Sequence, residues 1–314
     1  MLKLIGQRLV QGAVTIALLS FAAYALIGLM PGDPIDLAIA GDPRLSAEDA
    51  ARLRALYGLD QPLIGRYLAW AAGALQGRFG FSRLFAAPAH EVLGNALLNS
   101  LALLLPTTIL SALIGVGLGI LAARRPRGAL DYTVNAIAFA GISMPSFWLG
   151  ILLIILFAVT LGWLPAGGPP DRPGLAAWVT HLALPGLTLT VLGLASYARQ
   201  TRAAMIDALR SLYIRTARAK GAPERRVILN HALPNASIPI ITVAGLDFAT
   251  LVSGALIVEA VFAWPGMGKL IYDAILGNDY NLALLALMLT ALVTLVANLL
   301  ADLAQLAIDP RIRA

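Results

Sequence analysis

Three carboxylates are notable because they interrupt long apolar stretches of the chain. Asp247, Glu259 and Asp302 lie in or at the ends of these stretches. A charge inside a bilayer costs about 2.5–3.5 kcal/mol on insertion scales, so each carboxylate is expected to face protein or water. We therefore name the three as candidates for a polar pathway that binds an amine. The pattern favours the alternative of structural hydrogen bonding near an interface. A proton relay would require the carboxylates to lie close together at mid-membrane.

No other group of residues has the spacing of a reaction centre. The chain lacks cysteine, and residues 266–269 (Gly-Met-Gly-Lys) resemble a phosphate-binding loop only faintly. Position 263 is not glycine, and no Ser or Thr follows the lysine. The histidines show no metal-ligand spacing: His90, His181 and His231. We predict no bound metal or cofactor and no enzyme activity, so any ATP chemistry must come from another subunit.

The composition predicts a membrane protein. Of 314 residues, 59% are hydrophobic and 13% are charged, whereas soluble domains carry about 25% charged residues. Crossing a bilayer takes about 20 apolar residues. We predict an all-α membrane protein with six transmembrane helices, the third followed by an external loop near Gly162. The helices are expected within residues 9–30, 92–123, 132–170, 173–198, 237–262 and 280–301.

The basic residues indicate the orientation. Most of the 23 Lys and Arg residues fall within 3–8, 124–127, 199–226 and 311–313, on one side of the six predicted spans. The positive-inside rule makes this side, with both termini, cytosolic. The net charge of +6 therefore reflects topology; we predict contact with membrane lipid and none with nucleic acid. The first apolar run exceeds the 7–15 residues of a signal-peptide core, so we expect it to stay as a span.

Residues 31–94 form an external segment too long for a simple turn. Pro31-Gly32-Asp33-Pro34 prevents the first helix from continuing. Short helices are expected to start at Ser46 and Pro62. The second would expose an amphipathic set: Leu63, Tyr67, Leu68 and Trp70. These helices either lie on the membrane surface or help to form a docking surface for an external partner.

Gly115 and Gly119 form a GxxxG pair within a predicted span. This spacing lets two helices approach closely, and its position inside a span argues against a dinucleotide-binding loop. We predict helix packing at this pair.

The loop at residues 199–235 concentrates basic residues among apolar ones. Such a pattern is typical of short amphipathic helices. On the pattern alone, the segment is also compatible with a positive-inside anchor or a patch that binds lipid head groups.

Part of this loop resembles a known motif. Residues 215–221 and 231–234 fit the spacing of the EAA loop, E-A-A-x3-G-x9-I-x-L-P, of permease subunits of bacterial ABC importers. Ala217, Gly221, Leu233 and Pro234 match, whereas positions 215, 216 and 231 depart. The departures look like the dipeptide/oligopeptide branch, whose version Y-x-R-T-A-R-A-K-G is reproduced by residues 213–221.

The resemblance extends over nearly the whole chain. Landmarks similar to that branch occur in the expected order at residues 31–34, 144–150, 161–165, 258–268 and 309–311. They include Met-Pro-Ser-Phe-Trp-Leu-Gly in the third predicted span and Asp-Pro-Arg near the end.

The resemblance implies a type I ABC importer permease fold in the bacterial cytoplasmic (inner) membrane. Its implied partners are a second related permease subunit, two ABC ATPase subunits that use ATP and Mg, and an extracytoplasmic solute-binding protein. The loop would form a coupling helix docked on an ATPase subunit, and the spans would work by alternating access. The implied coupling residues are Arg215, Thr216, Ala217, Arg218, Ala219, Lys220, Gly221, Leu233 and Pro234.

Three expectations follow for these residues. Gly221 should allow the turn after the coupling helix. Pro234 should separate the loop from the fifth span. Arg215, Arg218 and Lys220 should be able to pair with acidic groups of the partner, each pair contributing under about 1 kcal/mol.

The expected organisation begins with residues 1–30, a cytosolic start and first helix, and residues 31–94, the extracytoplasmic segment. The transmembrane domain at 95–307 contains the coupling loop 199–236, and a cytosolic tail follows at 308–314. The resemblance implies dipeptide or oligopeptide cargo, with nickel chelates, glutathione or oligosaccharides as alternatives. An ion-coupled secondary transporter is the alternative of a different class, and it would work without ATPase subunits.

Overall fold

The computed structural model describes residues 2–28, 61–172 and 174–308. Apart from the two-stranded hairpin of β1 (Phe81–Ser82) and β2 (Ala87–Pro88), the elements are helical. The α-helices are α1 (Leu2–Gly28), α2 (Leu63–Leu75), α3 (Ala89–Arg124), α4 (Ala129–Ser143), α5 (Ser146–Leu153), α6 (Leu175–Arg210), α7 (Leu212–Ala219), α8 (Glu224–Arg226), α9 (Leu233–Val261), α10 (Met267–Leu276) and α11 (Tyr280–Ile308). Two π-helical turns follow α5 and α8, at Ile154–Thr160 and Val227–Ala232.

The described residues fall into two compact units. One comprises the described parts of Leu97–Lys269 and of the chain from Val293 onward, and the other comprises the described parts of Leu2–Ala96 with Leu270–Leu292. The candidate sites described below lie in the first unit. The division of the chain at residues 30, 94 and 307 stays a prediction.

The long helices confirm an all-α membrane protein. Four helical segments are long and apolar enough to cross a bilayer: Ile5–Leu26 in α1, Ala89–Arg124, Leu175–Arg210 and Tyr280–Ala304 in α11. The pair formed by α4 and α5 makes a fifth if it is counted as one span. The 29-residue helix α9 covers most of the predicted fifth span, and the count of six stays a prediction.

The third predicted span is bent rather than one continuous helix. α4 and the helix starting at Ser146 meet at an angle of 102°. Met144 precedes a proline and is extended, with φ −84° and ψ 127°, because the proline ring disfavours helical geometry in the residue before it. The chain leaves the helix after Thr160, and Gly162 has φ +63°, so the loop begins where the sequence predicts.

The fourth span also differs from the prediction, because α6 continues to Arg210 rather than ending near residue 198. No glycine or proline occurs between residues 187 and 210 except Gly193, and the Ala, Arg, Leu and Met of this stretch are strong helix formers. The first third of the predicted coupling loop is therefore a helix. It ends at Ser211, which is extended and whose hydroxyl donates to the Ala208 carbonyl at 2.6 Å.

The glycine pair of α3 packs directly on α6, as predicted. A Cβ at Gly115 would lie 2.6 Å from Tyr197 Cβ and 2.7 Å from the Leu194 carbonyl oxygen. One at Gly119 would lie 2.6 Å from Thr201 Cβ. Only glycine permits this backbone approach.

In the external segment, the helix predicted to start at Pro62 is α2, whereas the start predicted at Ser46 lies outside the described residues. Tyr67 packs on Phe21 and Tyr24 of α1, with ring centroids 5.2 and 5.7 Å apart. Trp70 also contacts Tyr24 in a tilted arrangement, with ring centroids 5.8 Å apart. The aromatic residues of the predicted amphipathic set thus face α1 rather than solvent, while Leu68 is exposed.

Candidate coupling surface and buried carboxylate network

The helix α7 is a short basic helix with a buried inner face. Ile214 is fully buried and Ala217 is half-buried. Both pack into one apolar cluster, whose buried members come from α3, α6, the second π-helical turn and α9: Ala123, Met205, Ala208, Val227, Ile228, Ala232 and Ala236. On the outer face, Leu212 is 76% exposed. Burial of a side chain such as Ile214 contributes about 1.5–3 kcal/mol, so α7 is held firmly on the elements beneath it.

The turn predicted at Gly221 is present and has the geometry of a Schellman motif. The Gly221 N–H donates to the Arg218 carbonyl at 2.9 Å, and the Ala222 N–H donates to the Ala217 carbonyl at 3.2 Å. Gly221 has φ +78°, a conformation that costs a residue with a side chain about 1–2 kcal/mol. No atom lies within 4 Å of a Cβ added there. Backbone conformation, rather than lack of space, therefore requires glycine.

Arg218 forms an exposed ion pair within the chain, and its pairing with an acidic group of a partner stays a prediction. Its Nη2 donates to Glu224 Oε1 at 2.7 Å and its Nε to Oε2 at 3.2 Å. These bonds and the Arg218 charge lower the pKa of Glu224, with a smaller contribution from Arg124. The pair joins the end of α7 to α8. Arg215 and Lys220 remain exposed on the outer face.

An open groove of about 410 Å³ lies beside α7; we call it the coupling groove. Its lining includes the side chains of Tyr213, Thr216, Lys220, Arg226 and His231. The first three are spaced three and four residues apart and so share one helix face; this spacing is a signal that the sequence analysis did not use. Arg226 and His231 come from later segments, and no local pattern relates them to α7. The basic lining suits an acidic side chain of a partner.

Pro234 does not separate the coupling loop from the next helix, contrary to expectation. The π-helical turn Val227–Ala232 leads directly into α9, in which Pro234 is the second residue. Pro234 lacks a backbone N–H and so cannot donate to the preceding turn, yet the residues before it keep helical backbone angles. Leu233 packs against the apolar cluster under α7. The coupling surface, which we define as residues 211–233, is thus joined to α9 by continuous helical backbone.

Glu259 lies near the end of α9 and is fully buried. Its Oε1 accepts a hydrogen bond from Ser100 Oγ of α3 at 2.6 Å, and its Oε2 accepts from the N–H groups of Gly268 and Lys269 at 2.7 and 3.1 Å. Ser100 Oγ in turn accepts from the Met267 N–H at 2.7 Å. These donors are at the start of α10, where the first N–H groups have no partner within the helix. The carboxylate therefore caps α10 and ties it to α3.

Two further bonds join the same segments. Trp264 Nε1 donates to the Asn99 carbonyl at 3.0 Å, and Asn99 Nδ2 donates to the Pro265 carbonyl at 3.0 Å. We call Glu259, Ser100, Asn99, Trp264 and the backbone of 265–269 the Glu259 network. The glycines of the faint phosphate-loop pattern belong to it: a Cβ at Gly266 would collide with Glu259 and Ser100, and one at Gly268 would collide with Leu256.

The three intramembrane carboxylates differ in what the structure describes. The surroundings of Glu259 are those expected of a carboxylate with a structural role, because both of its oxygens accept hydrogen bonds from protein donors. Asp302 is half-buried on α11. The side chain of Asp247 lies outside the described residues. A role for the three in a substrate pathway stays a prediction. Among the described residues, no three His, Cys, Asp or Glu side chains are grouped to hold a metal ion.

Two family descriptions match the chain. "Binding-protein-dependent transport system inner membrane component" matches residues 115–314, and its N-terminal counterpart matches residues 1–104.

Curated relatives match over nearly their full lengths. The oligopeptide transport system permease protein AppB of Bacillus subtilis is 37% identical over 94% of each chain. The di/tripeptide transport system permease protein DppB of Pseudomonas aeruginosa is 36% identical, covering 100% of this chain and 99% of its own. The glutathione transport system permease protein GsiC of Escherichia coli K12 is 38% identical over the same shares.

A solved structure has the same fold. The inward-facing MetNI methionine ABC transporter contains a chain with a TM-score of 0.60 and 23% identity, matching 71% of this chain and 98% of that one. The likeness confirms the type I importer permease fold.

Proposed function

This chain belongs to the family of binding-protein-dependent transport system inner membrane components, and we propose that it forms half of the translocation pathway of an ATP-driven peptide importer. As a permease subunit it lies in the inner membrane as a multi-pass protein. We place both termini and the coupling surface in the cytosol, because the basic residues collect on that side.

The proposal rests on how α7 is held against the rest of the structure. A short helix held by a fully buried Ile214 and ended by the Gly221 turn can transmit a push without bending. Its outer face and the coupling groove present Arg215, Lys220 and Arg226 to a partner. We propose that this partner is an ATPase subunit.

The mechanism we propose is alternating access. When the ATPase subunits close on ATP, their movement displaces α7, and α7 moves the helices that pack around Ile214. Because α6 and α9 run directly from this cluster into the membrane, the displacement reaches the spans as a lever motion. Hydrolysis of ATP by the ATPase subunits then returns the spans to the inward-facing state. In this scheme the chain supplies no covalent chemistry, and the ATPases use ATP and Mg.

The proposed assembly has a second related permease, two ATPase subunits and an extracytoplasmic solute-binding protein. For cargo we propose dipeptides or oligopeptides, because relatives 36–37% identical are named for oligopeptide and di/tripeptide transport. Glutathione, carried by a relative of 38% identity according to its name, is the second candidate.

The test is purification of the tagged chain from its native membrane in mild detergent, with co-purifying proteins identified by mass spectrometry. We expect two ABC ATPases, a second permease and, after mild cross-linking, a solute-binding protein. The captured binding protein is then screened against dipeptides, longer peptides, glutathione, nickel chelates and oligosaccharides. Purification of the chain alone, with transport in liposomes driven by an ion gradient, would contradict the proposal.

A further inference from the structure

A second Arg–carboxylate pair of this chain lies away from the coupling groove and is largely buried. Asp131, in the first turn of α4, is 3% exposed. Its two oxygens accept from the Arg202 guanidinium of α6: Nε donates to Oδ1, and Nη2 donates to Oδ2 at 2.7 Å. The Arg127 N–H and Asn135 Nδ2 each donate to the same carboxylate at 2.8 Å. The two-pronged geometry fixes direction as well as distance between the helices.

Arg202 lies close along α6 to the residues that support α7. Met205 and Ala208 follow it by three and six residues and are buried in the cluster around Ile214. Just before it, Ala198 and Thr201 are the residues against which Gly119 of α3 packs. One short stretch of α6 therefore contacts α3 by backbone approach and α7 by apolar packing. It contacts α4 both by packing of Ala198 with Val134 and by the charge pair.

The charge pair differs in kind from the other contacts. Close apolar packing keeps the helices in contact, and the bidentate pair in addition fixes their relative direction, because it is lost when its partners shift by more than a hydrogen-bond length. α4 also begins directly after the short connection from α3. Among the contacts of the described residues, the Asp131–Arg202 pair thus gives direction to the packing of α4 on the helices that carry α7.

We propose that Asp131 and Arg202 form a transmission joint through which displacement of α7 moves α4 during the transport cycle. The two are positioning residues that act through the helices they join. This inference rests on the proposed coupling function of α7. It predicts that loss of the joint leaves α7 moving while α4 no longer follows.

Spin labels can test the joint because the chain has no cysteine of its own. The complete importer is placed in nanodiscs with one label at Leu18→Cys on α1 and the other at Phe139→Cys on α4 or at Leu229→Cys; all three positions are exposed. Leu229 lies on the π-helical turn that packs against α7, so its label reports the displacement of α7. Pulsed electron double resonance compares the distances without nucleotide and with ATP plus EDTA. In the parent chain, ATP is expected to change both distances. In Asp131→Asn, the ATP-induced change in the distance from α1 to α4 is expected to fall by more than half. The change in the distance that reports on α7 is expected to persist.

Two variants make the result specific. Arg202→Lys keeps the charge but loses the two-pronged geometry, and we expect a partial loss of the α4 change. Thr133→Ala is the matched control on α4, because the Thr133 hydroxyl bonds the Ala129 carbonyl of its own helix; both changes should persist.

The outcomes separate the two levels of the argument. The joint is overturned if the ATP-induced change in the α4 distance keeps its full size in both Asp131→Asn and Arg202→Lys. It is also overturned if ATP does not change the α4 distance in the parent chain. An α7 that does not respond in the parent chain overturns the coupling function together with the joint.

Discussion

The coupling surface and the Glu259 network both place charged side chains at a helix end, yet they use the charge in opposite ways. At α7, apolar side chains hold the helix from below, and basic groups such as Arg215 and Lys220 stand in solvent. At α10, the carboxylate itself holds the helix, because Glu259 and Ser100 accept from its first N–H groups. Removal of charge should therefore affect partner binding at the first region and folding at the second.

The largest expected effect is that of Glu259→Ala. The substitution leaves the buried Gly268 and Lys269 N–H groups and the Ser100 hydroxyl without their acceptor, and each unsatisfied buried donor costs about 1–3 kcal/mol. We expect a lower unfolding temperature and less protein in the membrane. Thermal unfolding of the purified protein, followed by tryptophan fluorescence, measures this. Glu224→Ala, at an exposed carboxylate, is the control and should unfold almost as the parent does. Equal losses in the two variants would contradict the comparison.

A pair of substitutions in α7 separates support from recognition. Ile214→Ala opens a cavity in the cluster under α7 and should lower the free energy of unfolding by about 2–5 kcal/mol. Leu212→Ala removes a side chain that is 76% exposed, so stability should be unchanged while the ATPase subunit binds more weakly. Thermal unfolding and co-purification of the ATPases, measured on both variants, check this. If Leu212→Ala destabilised the chain as much as Ile214→Ala, the assignment of inner and outer faces would be wrong.

Replacement of Gly221 by a bulky residue such as Trp should abolish uptake with membrane insertion intact. The positive φ at this position costs a side-chain-bearing residue about 1–2 kcal/mol, enough to change the end of α7 but not to unfold the chain. Uptake of the identified cargo by cells and membrane content by immunoblot are the measurements. Gly221→Asn is the matched variant, since asparagine adopts the left-handed region more readily, and it should retain more uptake. Normal uptake by the Trp variant would count against the coupling role.

The smallest expected effect is that of the Arg218–Glu224 pair on stability. The pKa of Glu224 is lowered in the folded chain, so the pair stabilises the fold above the ordinary carboxyl pKa of 4.5. This contribution is lost as the pH falls through the lowered pKa. An exposed pair contributes under about 1 kcal/mol. At pH 7 the parent should therefore have a slightly higher unfolding temperature than Glu224→Gln. This difference in unfolding temperature should disappear in acid. If the difference in unfolding temperature grew in acid instead, the pKa of Glu224 would be raised in the folded chain, which would contradict the prediction.

The local structure of residues 213–221 was predictable because the signals that specify it are consecutive in the chain. A motif such as residues 213–221 carries its helix, its exposed charges and its terminal glycine in one stretch, and the structure has each of them. The apolar composition likewise predicts the long helices. Local sequence governs these features.

The features that sequence missed depend on residues far apart in the chain. Ser100 reaches Glu259 across 159 positions, and Asp131 reaches Arg202 across 71. No periodicity pairs such residues, because tertiary packing brings them together. Arg218 shows the same difficulty at short range: its charge was evident, but the turn at Gly221 had to be known before Glu224 could be recognised as its partner. The sequence also did not predict the helical run through Pro234. A proline more often marks the boundary of a helix than a position within helical backbone.

The π-helical turn Val227–Ala232 has a consequence for how this chain tolerates insertions and deletions. A π turn closes its hydrogen-bonded ring over one more residue than an α turn does. Deletion of one residue there would let the backbone continue as an ordinary α-helix. Each residue of an α-helix advances the chain by about 100° of rotation. Such a deletion would therefore keep the phase of α9 relative to α7, whereas the same deletion within the α-helical part of α9 would rotate every later side chain by about 100°. This turn is thus where the connection between the coupling surface and α9 tolerates a change in length of one residue.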